Sequence, residues 1–282
     1  MLSDVKDVIR FVAGDLNAQL DRKEAGLRFR VDPSSIGVAG TSAGGYCTYL
    51  CAIHAVPKPK AILVLYGMGG DFLVSLKVTN SRNLILSVLV LQTNQYLEQK
   101  TKSFFRGREM LDPANFPEYM YPFDNLQSIS DSPLEYYPQS YHIPGYPANP
   151  RMMLSRLYLQ LGVAIDYITG QHEPSLSHTL REAIRTDGPF DEALVADHKI
   201  LFPQFNVTSD WPATYLIHGT SDTAVLLRES QNLHSLLTKA GVEVVLEVIP
   251  GREHSFDYQP GAELEHEGSF DSIVEFLCHH LT

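Results

Sequence analysis

Basic side chains and cysteines are scarce in this chain of 282 residues, and both shortages narrow its function. Lysine and arginine number 22 against 33 aspartates and glutamates, which gives a formal net charge of -11. Nucleic-acid phosphates are bound by clustered cations, so this charge argues against a nucleic-acid partner. The three cysteines, Cys47, Cys51 and Cys278, have neither metal-binding nor redox spacing, and we expect reduced thiols.

Long apolar runs are missing as well, which argues against a membrane span. The run Leu84–Leu91 is strongly apolar, but a helix needs about 20 such residues to cross a bilayer. We expect it to be a buried helix, with an interfacial lid as the alternative. The start of the chain, Met1–Asp7, is not the positively charged start followed by an apolar core that marks a secretory signal. The predicted location is therefore the cytoplasm.

The marks of cofactor and metal sites are also absent. The run Gly67–Gly70 lacks the spacing of a phosphate-binding or dinucleotide-binding loop. The histidines, including the pair His279 and His280, have no zinc-ligand spacing. The sequence predicts no metal and no cofactor.

The most informative segment present is Gly40-Thr41-Ser42-Ala43-Gly44. It follows a strand-like run, Ile36–Ala39, and precedes a helix-compatible stretch, which is the context of a nucleophile elbow. Its outer glycines lack the Cβ atoms that would collide in so sharp a turn, and the Ser42 hydroxyl is left exposed. The Ala43 N–H then points at any oxyanion that forms when Ser42 attacks a carbonyl. A merely structural turn is the alternative interpretation.

A serine nucleophile needs a base and an orienting acid, and later strand-like runs end in suitable residues. Asp222 follows the run that begins at Ala213, and His254 follows the run that begins at Val244. Asp71, past the exit of a strand predicted over 61–67, is the alternative acid. We rank Asp71 behind Asp222, which lies in a more specific motif.

Three motifs carry a family resemblance: Gly-Thr-Ser-Ala-Gly-Gly at 40–45, His-Gly-Thr-Ser-Asp at 218–222 and Glu-His-Ser-Phe at 253–256. They resemble the α/β-hydrolase superfamily, in particular hormone-sensitive-lipase-like esterases and prolyl-oligopeptidase-like hydrolases. The resemblance implies that Ser42 is the nucleophile, Asp222 the acid and His254 the base. The order Ser, Asp, His along the chain agrees with that superfamily.

The N-terminal part departs from the family pattern. The family places four strands and a His-Gly-Gly oxyanion loop before the elbow, whereas 41 residues precede Ser42 here. Most of them predict one amphipathic helix, with Ser3 or Asp4 as its N-cap. A late-started gene model, a short isoform or pseudoenzyme, and a sheet completed by a partner are the three interpretations, and we favour a truncated member. An exposed sheet edge at 35–40 then predicts self-association into a homo-oligomer.

The predicted fold class is α/β, a partial α/β-hydrolase fold with a mostly parallel sheet flanked by helices. A core formed by 1–70 and 211–282 is interrupted by a helical cap insertion over 71–210. Helices are expected over about 43–55, 151–169, 226–240 and 269–280. Segments of the cap rich in Tyr and Pro, at 119–123 and 136–142, suit a hydrophobic acyl or ring-containing group.

The expected activity is hydrolysis of small carboxylic esters through an acyl-enzyme. Peptide or amide hydrolysis is the closest alternative, because the same motifs serve both reactions. A non-catalytic fold that binds a small hydrophobic ligand is the alternative from another class.

Overall fold

The structure is a computed structural model that describes residues 1–23, 29–73, 94–102, 108–123, 153–185 and 192–282. Two compact units divide the chain. The first comprises Met1–Val74 and Val195–Thr282, and the second comprises Ser75–Leu194. The predicted helix over 84–91 and the Tyr-rich segment 136–142 lie outside the described residues.

Four parallel strands form the sheet of the first unit: β1 Gly37–Thr41, β2 Ala61–Leu65, β3 Ala213–Gly219 and β4 Val244–Ile249. Their order in the sheet is β1-β2-β3-β4. The register pairs Gly37 with Ala61, and Ala61 in turn with Ala213. Parallel strands require long crossover connections, and those from β1 to β2 and from β3 to β4 each contain a helix. The predicted α/β class is confirmed.

The helices of the first unit are α1 Leu2–Arg10, α2 Leu16–Lys23, α3 Ala43–His54, α7 Arg228–Lys239, α8 Ala262–Glu265 and α9 Glu267–Leu281. The second unit contains α4 Leu154–Leu161, α5 Ala164–Thr169 and α6 Leu176–Arg185. Short 3-10 segments lie at Pro113–Asn115, Pro117–Tyr119, Glu192–Leu201, Pro203–Phe205 and Phe256–Tyr258.

Strands β2 and β3 are covered on both faces of the sheet, to which their successive side chains point alternately. Ile62, Val64 and Leu216 pack on one face with apolar residues of α3 and α7. On the other face, Leu65 and Ile217 pack with apolar residues of α9. Strands buried on both faces read as continuous apolar runs, which explains why the sequence revealed β2 and β3 so clearly.

The two ends of the sheet order differ from its middle. Every residue of β3 except the half-buried Ala213 is buried. In β1, Gly37 and Ala39 are exposed, and the only described strand that pairs with it is β2. At the carboxyl edge of the sheet, β3 is therefore held by a neighbour on each side, whereas β1 is held by β2 alone among the described strands.

The N-terminal segment is helical as predicted, but its details differ. A π-helical stretch, Phe11–Asp15, separates α1 from α2. The helix begins at Leu2 with Met1 as its N-cap, so the predicted N-caps Ser3 and Asp4 lie inside the first turn. Val5 and Ile9 form its buried face.

Two further differences concern the insertion. The helix predicted over 151–169 is two helices in its described part, because Gly162 ends α4 in the left-handed conformation with φ 67°. Residues 195–210, which the sequence assigned to the insertion, lie in the first unit. Phe202 packs there edge-to-face against Phe72, and Leu201 accepts a hydrogen bond from the Tyr46 hydroxyl. The role of the second unit as a cap stays a prediction.

Candidate active site

Ser42 lies between β1 and α3 in a strained backbone conformation, φ 54° and ψ -121°. A Cβ atom at Gly40 would overlap the Gly44 carbonyl oxygen and Thr48 Oγ1, so only glycine fits there. At Gly44, by contrast, the described residues leave the space around an added Cβ atom open to 4 Å. The steric need that the sequence assigned to both glycines thus holds for Gly40 and not for Gly44.

The crowded position on the helix side is Gly45 rather than Gly44. A Cβ atom on Gly45 would lie 2.5 Å from the Cα atom of Gly67, which follows β2. A Cβ atom on Gly67 would in turn meet the Val64 side chain and, at 2.9 Å, the Tyr49 hydroxyl. Helix α3 therefore packs backbone against backbone on the chain that leaves β2.

Hydrogen bonds fix Ser42 to the same segment. The Ser42 N–H donates to the Leu65 carbonyl at 3.0 Å, and the Ser42 carbonyl accepts from the N–H of Met68 at 2.9 Å. The N–H of Gly45 donates to that carbonyl at 3.0 Å. Strained residues persist only when their surroundings fix them from several sides, and these bonds meet that requirement.

His254 connects the serine to an acid. Its Nε2 lies 2.9 Å from Ser42 Oγ, and its Nδ1 lies 2.7 Å from Asp222 Oδ2. His254 is buried, and so is the Asp222 side chain. The structure therefore brings together the three residues that the sequence named, although 212 positions separate His254 from Ser42.

The Asp222 carboxylate is held in its charged form. Burial alone would raise its pKa, but hydrogen bonds from His218 and His254 lower the pKa to about 2. Its other oxygen, Oδ1, accepts the N–H groups of Ala224 at 2.9 Å and Val225 at 2.8 Å. A carboxylate with this many donors stays ionised at neutral pH.

His218 contributes more to the site than the sequence indicated. Its Nε2 lies 2.8 Å from the Val225 carbonyl and 3.4 Å from Asp222 Oδ2. Its Nδ1 lies 2.7 Å from the Ser230 hydroxyl, and the residue is fully buried. A carbonyl oxygen can only accept a hydrogen bond, so Nε2 of His218 carries the hydrogen and donates it to Val225. In the neutral ring Nδ1 then accepts from the Ser230 hydroxyl. The sequence interpretation of His218 as structural missed its contact with the acid.

Glu253 joins the loops that carry the acid and the base. Its Oε2 accepts the N–H of His254 at 2.9 Å and the N–H of Thr223 at 3.2 Å. These bonds fix the distance between Asp222 and His254 through the backbone. The sequence showed only that Glu253 precedes the base.

Tyr66 is a site residue that the sequence did not mark. It follows β2 with φ 39°, and its ring packs against His254 with ring centroids 4.5 Å apart. Its hydroxyl donates to the Asp257 carboxylate, and burial followed by this bond raises the pKa of the phenol. Among the described non-glycine residues, positive φ occurs at Ser42, Tyr66 and Ser255, all at this site. Strain of this kind concentrates at functional sites.

The start of α3 offers free donors beside the serine. Within the described part of the chain, the N–H groups of Ala43 and Gly44 have no acceptor. The loop after β2 is more committed, since the N–H groups of Gly69 and Asp71 donate to Glu229 Oε2 at 3.1 and 2.8 Å. Free N–H groups at a helix start favour an anion.

Asp71, the alternative acid, lies elsewhere at the same edge of the sheet. Its Oδ2 lies 4.0 Å from Arg228 Nε, and its N–H is bonded to Glu229. Burial raises the pKa of Asp71 to about 6, although Arg228 opposes this shift. Burial, with the charge of Asp71, raises the pKa of Glu229 to about 8. The acid that faces His254 is Asp222.

The described residues also bear on metal binding and on membrane insertion. None of these residues form a group of three or more His, Cys, Asp or Glu side chains suited to a metal ion. No helix in the described ranges is both long enough and apolar enough to cross a membrane. The three cysteines are free thiols, and burial raises the pKa of Cys51 to about 11.

No family model matches the chain. The non-reducing polyketide synthase mapC of Penicillium brevicompactum is 37% identical over 70 residues, which cover 24% of this chain and 3% of the synthase. The synthase trt4 of Aspergillus terreus is 31% identical over 68 residues, with the same two coverages. The chain therefore matches only a very small part of these curated relatives.

Solved structures similar to the chain include hydrolases. An acetyl ester-xyloside bifunctional hydrolase of Caldicellulosiruptor lactoaceticus is 17% identical with a TM-score of 0.40, over 96% of this chain and 65% of that one. An esterase of Thermogutta terrifontis is 16% identical with a TM-score of 0.43, over 99% and 63%. The acylaminoacyl peptidase of Pyrococcus horikoshii is 14% identical with a TM-score of 0.46, over 99% and 28%. The function of the chain therefore rests on the geometry of its own residues.

Proposed function

We propose that the chain is a serine hydrolase that cleaves carboxylic esters through an acyl-enzyme. One observation carries the proposal: His254 contacts Ser42 Oγ with one ring nitrogen and Asp222 with the other, at 2.9 and 2.7 Å. A serine is activated when its hydroxyl is hydrogen-bonded to a base that is itself hydrogen-bonded to an orienting acid. The strained turn at Ser42 presents the hydroxyl to a substrate.

Acylation follows from the proton positions. The ionised Asp222 accepts the Nδ1 hydrogen of His254, which leaves the lone pair of Nε2 directed at Ser42. As Ser42 Oγ attacks the ester carbonyl, Nε2 takes the hydroxyl proton, and Asp222 stabilises the imidazolium. His254 then gives the proton to the leaving alkoxide, and the alcohol departs.

The negative charge of the tetrahedral intermediate needs donors. The N–H of Ala43, and beside it that of Gly44, supply them in this proposal, because both lack an acceptor within the described residues. Donors already fixed in place cost no reorganisation when charge develops. Water, activated by His254, then attacks the acyl-enzyme and releases the acid.

Esters fit this site better than amides. The donors named above come from one short segment, and an amide carbonyl, being less reactive, demands more stabilisation of the oxyanion. A comparison of p-nitrophenyl butyrate with the corresponding p-nitroanilide decides between the two. We expect the ester to be cleaved at least 100-fold faster, and equal rates would assign the chain to amide hydrolysis instead.

Labelling with a fluorophosphonate probe tests the nucleophile, since the probe reacts with activated serines. We expect the wild-type chain to be labelled and Ser42→Ala to lose both labelling and ester turnover. Ser209→Ala is the matched control, because Ser209 is exposed and precedes the start of β3, whereas Asp222 follows its end. Labelling that persists in Ser42→Ala contradicts the assignment. A wild-type chain that is never labelled favours a non-catalytic ligand-binding protein.

A further inference from the structure

Arg228, the first residue of α7, presents a buried cation that makes no hydrogen bond to any described residue. Its Nε, Nη1 and Nη2 are all buried, and no described residue offers any of them an acceptor within hydrogen-bond distance. A guanidinium has five N–H donors in a rigid fork. Leaving buried donors unsatisfied is costly, and more so for a charged group. Such a group is stable in a binding protein when a ligand supplies the acceptors.

The two acids beside Arg228 do not fill this need. Asp71 Oδ2 lies 4.0 Å from Nε, which is an ion pair without a hydrogen bond. Glu229 accepts backbone N–H groups of Gly69 and Asp71 with Oε2. Burial raises the pKa of Glu229 to about 8, so it is largely neutral at pH 7. The terminal nitrogens, Nη1 and Nη2, thus have no hydrogen-bond acceptor among the described residues.

The position of Arg228 relates it to the candidate active site. Arg228 begins α7, directly after the connection from β3 that carries Asp222. Asp71 follows β2, whose exit is bonded to Ser42 through Met68. Side chains after parallel strands meet at the carboxyl edge of the sheet, where ligands of α/β proteins bind. The guanidinium and Ser42 therefore occupy the same edge.

We propose that Arg228 binds a carboxylate on the substrate, so that the esters cleaved at Ser42 are monoesters of dicarboxylic acids. This inference rests on the proposed function. The two terminal nitrogens match the two oxygens of a carboxylate in a bidentate pair, while Nε keeps its place opposite Asp71. The Asp71 carboxylate opposes a second anion, so it weakens binding and removing its charge strengthens it.

A matched pair of esters tests the proposal: mono-p-nitrophenyl adipate and its methyl ester, which have the same acyl chain but differ in charge. We expect wild-type kcat/KM to favour the charged ester at least tenfold. Arg228→Met should lower kcat/KM for the charged ester about 10- to 100-fold, the contribution of charge-assisted hydrogen bonds, and leave the methyl ester unchanged. Arg228→Lys keeps the positive charge but loses the two parallel donors, so its kcat/KM for the charged ester should lie between those of the wild type and Arg228→Met. Arg10→Met, which removes an exposed arginine of α1, is the control.

Asp71→Asn gives a change of the opposite sign. We expect it to increase the preference for the charged ester, because a like charge is lost while the side-chain shape stays. If Arg228 serves only to hold Asp71 in place, Asp71→Asn and Arg228→Met both leave the preference unchanged and both destabilise the fold. That pattern, or equal use of the two esters by the wild type, overturns the proposal.

Binding without turnover separates this inference from the proposed function. In Ser42→Ala, adipate should raise the melting temperature, and the additional change Arg228→Met should remove that shift. Without ligand, Arg228→Met should itself melt no lower than its parent, since it removes a buried charge that has no hydrogen bond. If the wild type cleaves neither ester, the proposed function fails. The change in melting temperature on adding adipate then tests the carboxylate site by itself. If that change is absent, or is the same with and without Arg228, the inference is overturned.

Discussion

Strands β1 and β3 each lead into a residue of the candidate active site, but the sheet supports them very differently. β3, which leads to Asp222, has a neighbour on each side and is almost entirely buried. β1, which leads to Ser42, pairs with β2 alone among the described strands and exposes Gly37 and Ala39. The acid therefore receives its position from the sheet, whereas the nucleophile receives it from close contacts after β2.

The largest effect should appear on the β3 side. Asp222→Asn leaves the shape of the acid intact but permits the wrong imidazole tautomer, and we expect kcat for ester hydrolysis to fall by about 10⁴. Asp71→Asn should cost far less on the neutral methyl ester, because Asp71 lies beside Arg228 rather than His254. Steady-state kinetics on both variants decide between the acids, and the reverse order would make Asp71 the orienting acid.

The second test concerns the contacts that support Ser42. Gly40→Ala forces a methyl group onto the Gly44 carbonyl and Thr48, and we expect about 3 kcal/mol or more of lost unfolding free energy. Gly44→Ala meets open space, so we expect anything from no change to about 1 kcal/mol of stabilisation. Urea titrations measure both. Equal losses at the two positions would show that the overlap at Gly40 does not determine the stability of the turn.

A third test uses pH to probe Glu229, which joins α7 after β3 to the loop after β2. Burial raises the pKa of Glu229 to about 8 in the folded chain, so its contribution to stability is present below its unfolded pKa of 4.5 and is lost as pH rises towards 8. Glu229→Gln keeps an acceptor for Gly69 and Asp71 without this titration. The unfolding free energy of the variant should therefore fall less than that of the wild type between pH 5 and pH 8.

Glu263→Gln, at an exposed position of α8, is the matched control. Its unfolding free energy should change with pH in the same way as that of the wild type. Parallel stability curves for wild type and Glu229→Gln over this pH range would mean that Glu229 is charged in the folded chain.

The smallest effect concerns the side of β1 on which no described strand pairs with it. A strand with unpaired N–H and C=O groups is a template for pairing with another chain, so we expect concentration-dependent self-association. Ala39→Lys places a charge on this strand and should shift the chain towards the 31.5 kDa monomer in sedimentation velocity. Ser209→Lys adds the same charge elsewhere and should leave association unchanged. A wild-type chain that stays monomeric at all concentrations refutes pairing through β1.

The sequence predicted the parts of the site that follow directly from local pattern. Ser42, Asp222 and His254 each follow an apolar run, and parallel strands bring such ends together without further information. The α/β class followed from the same runs. The boundary near residue 195 did not, because it depends on Phe202 packing against Phe72, a contact between segments far apart in the chain.

The residues that the sequence missed act through neighbours on other strands. Tyr66 matters because its ring contacts His254, and Glu253 matters because Thr223 lies within reach of its carboxylate. Arg228 gave no signal in the sequence, because its significance lies in a buried guanidinium to which no described residue offers an acceptor. The sequence of one chain does not reveal such contacts, because each depends on which strands lie next to each other in the sheet.

The contact between Gly45 and Gly67 bears on how relatives of this chain can be found. Two backbones that touch leave no room for a first substitution at either position, so both glycines should persist wherever this architecture is inherited. Gly44, a member of the familiar five-residue signature, has no such steric constraint within the described structure. A search pattern that demands glycine at positions 40, 45 and 67, and tolerates other small residues at 44, should recover divergent homologues that the shorter signature discards.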